Sequence, residues 1–315
     1  MRTFRGLVWE GGDAEPYDGA VVVDGDTLAS VGPDVPRDAE PAGWIGPGLY
    51  DAHVHLAFGT FEEMRRGGVL AVRDLGAPPH LARQWRGPDV EVAGPLLTAP
   101  GGYPSSSWGA DGFARFVRDA DDAREAVREL DVDVVKVALE PAGGQPVPAP
   151  EVVSAIVDEA HARGLAVTAH ALSEPMVVRA LDAGVDELCH TPAEPLSRAC
   201  VERIAAAGIP VVSTIETLGD GAAANANALY DAGVRLVYGT DLGNAGTRPG
   251  ADPRELRRLA EAGLGPFGAI KAATRETLAH GGPARLVVLD ADPRRDLTTW
   301  NRPRWVMSAA WPNVT

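Results

Sequence analysis

The chain of 315 residues carries 29 basic and 44 acidic side chains, a formal net charge of −15, and 45% of its residues are apolar. That apolar share sustains a packed core and excludes a disordered chain, while the length suits one large α/β domain with a small companion. The acidic excess excludes nucleic acid and anionic membrane as partners, because both require clustered positive charge.

Residues 1–10 hold no apolar core ahead of a small-residue cleavage site, so no signal peptide is expected. Residues 3–9 and 20–31 read as strands around turns at Gly11-Gly12 and Asp24-Gly25, the second of which is a hairpin signal. From Gly46 onward, short β-branched runs at 45–51, 70–74, 90–97, 132–137, 166–169, 186–189, 210–214 and 234–238 predict strands. Helical patterns at 121–130, 149–163, 173–183, 197–207, 222–232 and 253–262 lie between or after them, most followed by a glycine suited to the position after a helix end. Repeated strand–helix units predict a parallel sheet, and eight of them predict a (β/α)8 TIM barrel over residues 46–282. The Pro/Gly-rich run 141–150 directly follows a strand and reads as a long loop of the barrel. Residues 284–289 and 304–309 are strand-like again, so the ends 1–45 and 283–315 are expected to pair as a small composite β-sandwich.

No run of eighteen apolar residues exists, so no membrane-spanning helix is expected. Cys189 and Cys200 make no disulfide framework, which predicts a reducing, cytoplasmic setting.

Chemistry concentrates at the predicted strand ends. His53 and His55 end the first strand, His170 follows the fifth, His190 ends the sixth and Asp241 follows the eighth. In a parallel barrel these ends converge on the face that forms active sites. Residues two apart on a strand point the same way, so His53 and His55 can share one ion. Imidazole with carboxylate suits zinc, iron, manganese or cobalt. Each residue has a plainer role by itself: a satisfied core imidazole for the histidines, a loop cap for Asp241. The independent arrival of five ligand-type residues at four strand ends on one face is what points to a metal. His80, His161 and His280 fall in helical or loop contexts and read as surface residues.

Of the 29 basic residues only Lys136 and Lys271 are lysines, and Lys136 lies within the apolar run Val134-Val135-Lys136-Val137-Ala138 at the end of the fourth strand. It either snorkels its amine to solvent or, if buried, presents a neutral nucleophile able to capture carbon dioxide as a carbamate. Spacing does not separate the two.

The stretch Gly46-Pro47-Gly48-Leu49-Tyr50-Asp51-Ala52-His53-Val54-His55 resembles the first-strand signature of the amidohydrolase superfamily of metal-dependent hydrolases. Val72-Arg73-Asp74-Leu75-Gly76, Asp133-Val134-Val135-Lys136-Val137, the run from Ala183 to His190 and Gly239-Thr240-Asp241 resemble segments of its prolidase- and imidazolonepropionase-like members. The resemblance implies a barrel with a terminal β-sandwich and two divalent ions, zinc first, with iron, manganese or cobalt as alternatives. It makes His53 and His55 ligands of one metal and His170 and His190 ligands of the second. Lys136 would be the carboxylated bridge, and Asp241 a ligand and proton shuttle. The implied reaction is hydrolysis of an amide C–N bond in a small molecule that is dipeptide-like, an N-acyl amino acid or a cyclic amide. A homo-oligomer is a further family expectation.

Tyr103 stands where relatives often have histidine, and Arg285 replaces an acidic residue common before the Leu286-Val287-Val288 strand. Tyr103, Glu140 and Arg248 lie in loops after the third, fourth and eighth strands and are candidate substrate contacts. The alternatives are a mononuclear deaminase or cyclic-amide or lactone hydrolase with Lys136 unmodified, or a non-catalytic barrel. Related deaminases place a glutamate three residues after the fifth-strand histidine; Glu174 comes four after His170, which disfavours that reading.

Overall fold

A computed structural model describes residues 1–309, the side chain of Ala142 excepted. The N-terminal region forms β1 (Arg2–Val8), β2 (Tyr17–Asp24), β3 (Thr27–Gly32), β4 (Glu40–Pro41) and β5 (Trp44–Pro47). The Asp24-Gly25 signal is the β2–β3 hairpin, with Asp24 paired to Thr27 and Gly25 at φ 56°.

The chain then alternates: β6 (Leu49–Val54), α1 (Phe61–Arg66), β7 (Val69–Asp74), α2 (Pro79–Trp85), β8 (Val90–Val92), β9 (Leu96–Thr98), β10 (Ala114–Phe116), α3 (Ala120–Glu129) and β11 (Val134–Leu139). It continues through α4 (Pro150–Ala162), β12 (Ala166–Ala171), α5 (Glu174–Ala183), β13 (Glu187–Leu188), α6 (Arg198–Ala207), β14 (Val211–Val212), α7 (Ile215–Leu218), α8 (Asp220–Asp231) and β15 (Leu236–Val237). After α9 (Pro253–Leu259) and α10 (Gly265–Ala272), β16 (Arg285–Leu289) and β17 (Trp305–Ser308) close the described chain. Local chemistry sets the helix starts. Thr60 and Glu63 cap each other at α1, and the Asp119 carboxylate accepts from the amides of Asp121 and Asp122 at α3.

The strands β6–β7–β8 pair in parallel, as do β10–β9–β11–β12–β13–β14–β15. Two seams join these sheets. At one, the Asp133 amide ahead of β11 donates to the carbonyl of Val92 in β8 (2.9 Å). At the other, β6 meets the chain after β15: Ala52 N donates to Tyr238 O, Asp241 N to His53 O and His55 N to Leu242 O, all within 3.0 Å. Every residue of β11 is buried, as expected of a parallel strand covered on both faces.

Two expected strands are divided. The first splits at Gly48, where β5 leaves for the terminal sheet and β6 enters the parallel one. A Cβ at Gly48 would fall 2.2 Å from Leu70 Cγ, so only glycine fits the crossing. The third splits at Gly94-Pro95 into β8 and β9, because Gly94 adopts φ 66° and proline lacks an amide for the ladder. The helix expected to end before Gly263 instead runs into a π turn over residues 260–264 and resumes as α10.

The two ends pair with each other in one hydrogen-bonded sheet of seven strands, ordered β17–β16–β5–β1–β2–β3, with β4 also on β1. β1 is long enough to pair with β4 near Phe4 and with β5 at Val8, which makes the path continuous. Residues 310–315 of the expected C-terminal piece lie outside the described residues.

Arg285 anchors this sheet to the central strands. Its buried guanidinium pairs with Asp89 (2.7 Å), grips Glu276 with two bonds (2.6 and 2.8 Å) and donates to the Leu70 carbonyl (2.9 Å). The substitution of an acidic residue by Arg285 is therefore compensated by two carboxylates. Arg285→Met strands the buried Asp89 and should cost about 3–5 kcal/mol in chemical denaturation. An unchanged denaturation midpoint would show that the bridge contributes nothing.

Candidate metal centre

β6 delivers His53 and His55 together. His53 Nδ1 donates to the Cys189 carbonyl (2.7 Å), and His55 Nδ1 faces the Gly76 carbonyl at 3.4 Å. A carbonyl only accepts, so the proton sits on Nδ1 and Nε2 is left bare. Both Nε2 atoms point at Asp241 Oδ1, at 3.3 and 3.4 Å. Lys136 on β11 is 1% exposed, with Nζ 3.1 Å from His53 Nε2. On β12, His170 uses Nε2 toward Glu140 Oε2 (3.3 Å), which leaves Nδ1 free. His190 follows β13 and uses Nδ1 toward Thr214 Oγ1 (3.0 Å), leaving Nε2. The His190 ring lies 4.4 Å from His53 and 4.6 Å from His170. All six residues expected as ligands are buried and converge here.

A surrounding set of buried groups, which the sequence pattern did not single out, holds the six in place. Asp51 accepts from the amides of His53 and Thr240 and from Thr240 Oγ1 (2.6 Å), tying β6 to the residue before Asp241. Asp74 accepts from the amides of Leu56 (2.7 Å) and Gly76 (3.1 Å), which brace the turn after His55. Burial pushes these carboxyls up, Asp51 to about 7 and Asp74 to about 6, against the pull of those hydrogen bonds. Glu255, also raised to about 7 by burial, grips the amides of Ile215 and Glu216 beside Thr214. Thr214 and Asp241 sit at φ 43° and 54°, a left-handed conformation that costs energy for residues bearing a Cβ. Strain of this kind persists where neighbours over-determine it, as they do at both positions.

Burial drives His53 and His190 well below the ordinary imidazole value of 6.5, and His170 below it. Burial alone would raise Asp241, but His53, His55 and His190 outweigh it and hold that carboxyl well below its usual range. Neutral imidazoles with bare nitrogens around an ionised carboxylate form a donor set for a divalent cation. His53, His55 and Asp241 offer ligand atoms all within 4.8 Å of one another, as do His53, Cys189 and His190. Burial pushes the Cys189 thiol to about 11, which keeps it protonated and a poor ligand.

The cavity above these groups encloses about 130 Å³ and is lined by His55, Lys136, His170, His190 and Asp241 together with Phe58, Tyr103, Trp108 and Asn244. Tyr103 stacks on His170 at 5.0 Å, so it faces the site, and Glu140 reaches it through His170. Arg248 does not line it. Its exposed guanidinium donates to Asn301 (3.2 Å), where it keeps its hydration instead of entering a desolvated pocket. Glu174 is also elsewhere, accepting from Ser197 N and Oγ. Trp108 and Phe58 were not anticipated: both lie in irregular segments, where no periodicity marks a side chain as facing inward.

A profile of the Amidohydrolase family matches residues 44–308. The chain belongs to that family. An uncharacterised protein of Mycobacterium tuberculosis is 31% identical over 175 residues, 47% of this chain and 45% of that protein. The chain thus spans about half the length of the curated relatives it matches. Among solved structures, a Xaa-Pro dipeptidase with bound methionine in its active site superimposes with a TM-score of 0.81 at 19% identity, over 98% of each chain. Aspergillus (A. niger) ochratoxinase gives 0.77 at 19% identity, over 98% of this chain and 94% of its own. These likenesses establish a shared fold. Among the described residues no helix is long and apolar enough to cross a membrane.

With His53, His170 and His190 shifted below 6.5, their proton uptake is postponed to lower pH. Zn²⁺ affinity should therefore stay nearly flat from pH 7 to 6 in a chelator competition corrected for the chelator's own protonation. A tenfold loss over that unit would mean that the imidazoles titrate at their ordinary value.

Proposed function

We propose that the chain is a binuclear metal-dependent amidohydrolase that cleaves an amide C–N bond in a small molecule. The reading rests on one observation: six buried ligand-type residues converge, with the Nε2 atoms of His53 and His55 on Asp241 and the other ring nitrogen of each tied to a carbonyl. The parallel strands joined at both seams support a (β/α)8 barrel spanning 46–282, with the two termini as its accessory β-sandwich. The free, buried cysteines support a reducing, cytoplasmic setting.

In this reading His53 and His55 hold one ion and His170 and His190 the other, with Asp241 as a further ligand. Zinc is the first candidate, ahead of iron, manganese and cobalt. Lys136 would supply a further ligand to the ions as a carbamate, formed when its amine adds to carbon dioxide and releases a proton. The placement supports this, because Nζ is enclosed among the candidate ligands, 3.1 Å from His53 Nε2, where a carbamate would be a ligand. The bound ions supply Lewis acidity toward the scissile carbonyl and acidify the attacking water. Asp241, held as a carboxylate at the centre, would accept the proton from that water and return it to the leaving nitrogen. Asp51 sets its height by fixing Thr240, and Thr214 fixes the His190 ring. The Xaa-Pro dipeptidase likeness supports an amide as the bond broken.

A mononuclear centre is the second reading, favoured by the compact group of His53, His55 and Asp241, which is complete for one ion. Metal analysis separates the two. The wild-type chain should carry about two ions and Lys136→Ala about one, with most activity lost. A Lys136→Ala protein with two ions and full rate would refute the bridge. Asp241→Asn should lower kcat by about 10²–10⁴-fold, the range of a positioned acid–base group.

A further inference from the structure

The part of the cavity lining that the six ligands do not supply is largely aromatic. Trp108 lies over His55 with ring centroids 4.7 Å apart, Tyr103 lies over His170, and Phe58 and Phe113 extend the surface behind Trp108 at 6.3 and 5.7 Å. Trp108 Nε1 donates to the Tyr103 hydroxyl (3.0 Å), so its one donor is used within the wall and the ring adds apolar surface to the cavity. The loop carrying both rings is tied down by Gln145, which donates to Ser106 Oγ (2.5 Å). Phe58 is 50% exposed at the mouth, an unusual position for a large apolar ring unless something covers it.

The charge around this wall is one-sided. Among the described residues no arginine lines the cavity, and its lysine, Lys136, faces His53. The arginines of the neighbouring segments are engaged elsewhere: Arg248 with Asn301, Arg115 with Asp122, and Arg65 and Arg66 with Glu62. Glu140 instead places a carboxylate against His170 at the edge of the site. A substrate carboxylate seated on the aromatic wall, away from any ions held by the six ligands, would lose its water with no cationic side chain to meet it, on the side where Glu140 lies.

We infer that this enzyme selects neutral, aryl-bearing amides and discriminates against dipeptides and N-acyl amino acids with a free carboxylate, with Trp108 and Tyr103 as the specificity-determining residues. The inference rests on the amide-hydrolase reading and narrows its substrate class.

Three substrates test it: N-(phenylacetyl)benzylamine, N-(phenylacetyl)phenylglycine, which adds a carboxylate on the amine carbon, and the corresponding phenylglycinamide, which replaces that charge with a neutral group of similar size. On the metal-reconstituted full chain, both neutral amides should show kcat/KM at least tenfold above the acid. In calorimetric titration of the metal-free chain they should also bind more tightly than the acid. Trp108→Ala should raise KM for the neutral pair about tenfold and abolish that binding preference, with metal content unchanged. An acid hydrolysed as well as or better than its carboxamide overturns the inference and leaves the hydrolase reading standing. Unaltered kinetics and binding in Trp108→Ala overturn the assignment of the wall. No turnover of either neutral amide, with no binding preference for them in the metal-free chain, overturns the inference and leaves the hydrolase reading standing.

Discussion

The hydrogen bonds between β6 and the chain just after β15 are the constraint on which the site depends. Asp241 N donates to His53 O and His55 N to Leu242 O, so one short backbone seam sets two histidines beside a carboxylate nearly two hundred residues further along the chain. Asp51 reinforces the seam from within by accepting from Thr240. With the seam formed, Asp241 Oδ1 lies 3.3 and 3.4 Å from the two Nε2 atoms.

The second requirement is neutrality. Four imidazoles, a lysine and several carboxyls cannot all be charged in a buried space of this size. The fold resolves this through hydrogen-bond direction. Carbonyl oxygens behind His53 and His55, the Thr214 hydroxyl behind His190 and the Glu140 carboxylate behind His170 each occupy one ring nitrogen. Asp74 braces Gly76, Glu255 holds the amides that follow Thr214 and Asp51 ties His53 to Thr240, while burial raises the pKa of all three. The strained backbone at Thr214 and Asp241 lies among these braces, as expected where a fold holds chemistry against local preference.

Much of this was legible in the chain. The strand–helix alternation, the hairpin at Asp24-Gly25 and the pairing of the two ends follow from local pattern and turn chemistry, and the structure contains each. His53, His55, Lys136, His170, His190 and Asp241 stand out because a chemically capable residue falls at the end of one predicted strand after another. What escaped was geometry that residue type does not encode. Gly48 and Gly94 each read as interior to a strand but mark breaks, because the close approach of Leu70 and a positive φ are tertiary facts. Arg248 has the right loop and charge for the pocket but finds Asn301 instead. Trp108 has no pattern around it and yet forms the wall.

Sequence by itself determined the repeated strand–helix architecture, the family and the inventory of donors, since periodicity, turn residues and strand-end positions are local properties of the chain. Tertiary structure alone decided which nitrogen of each histidine is free, that Lys136 is buried against an imidazole rather than snorkelling to solvent, and that the facing wall is aromatic and lacks a cation. Those properties depend on what stands behind each side chain, and that neighbour comes from a distant segment brought close by folding.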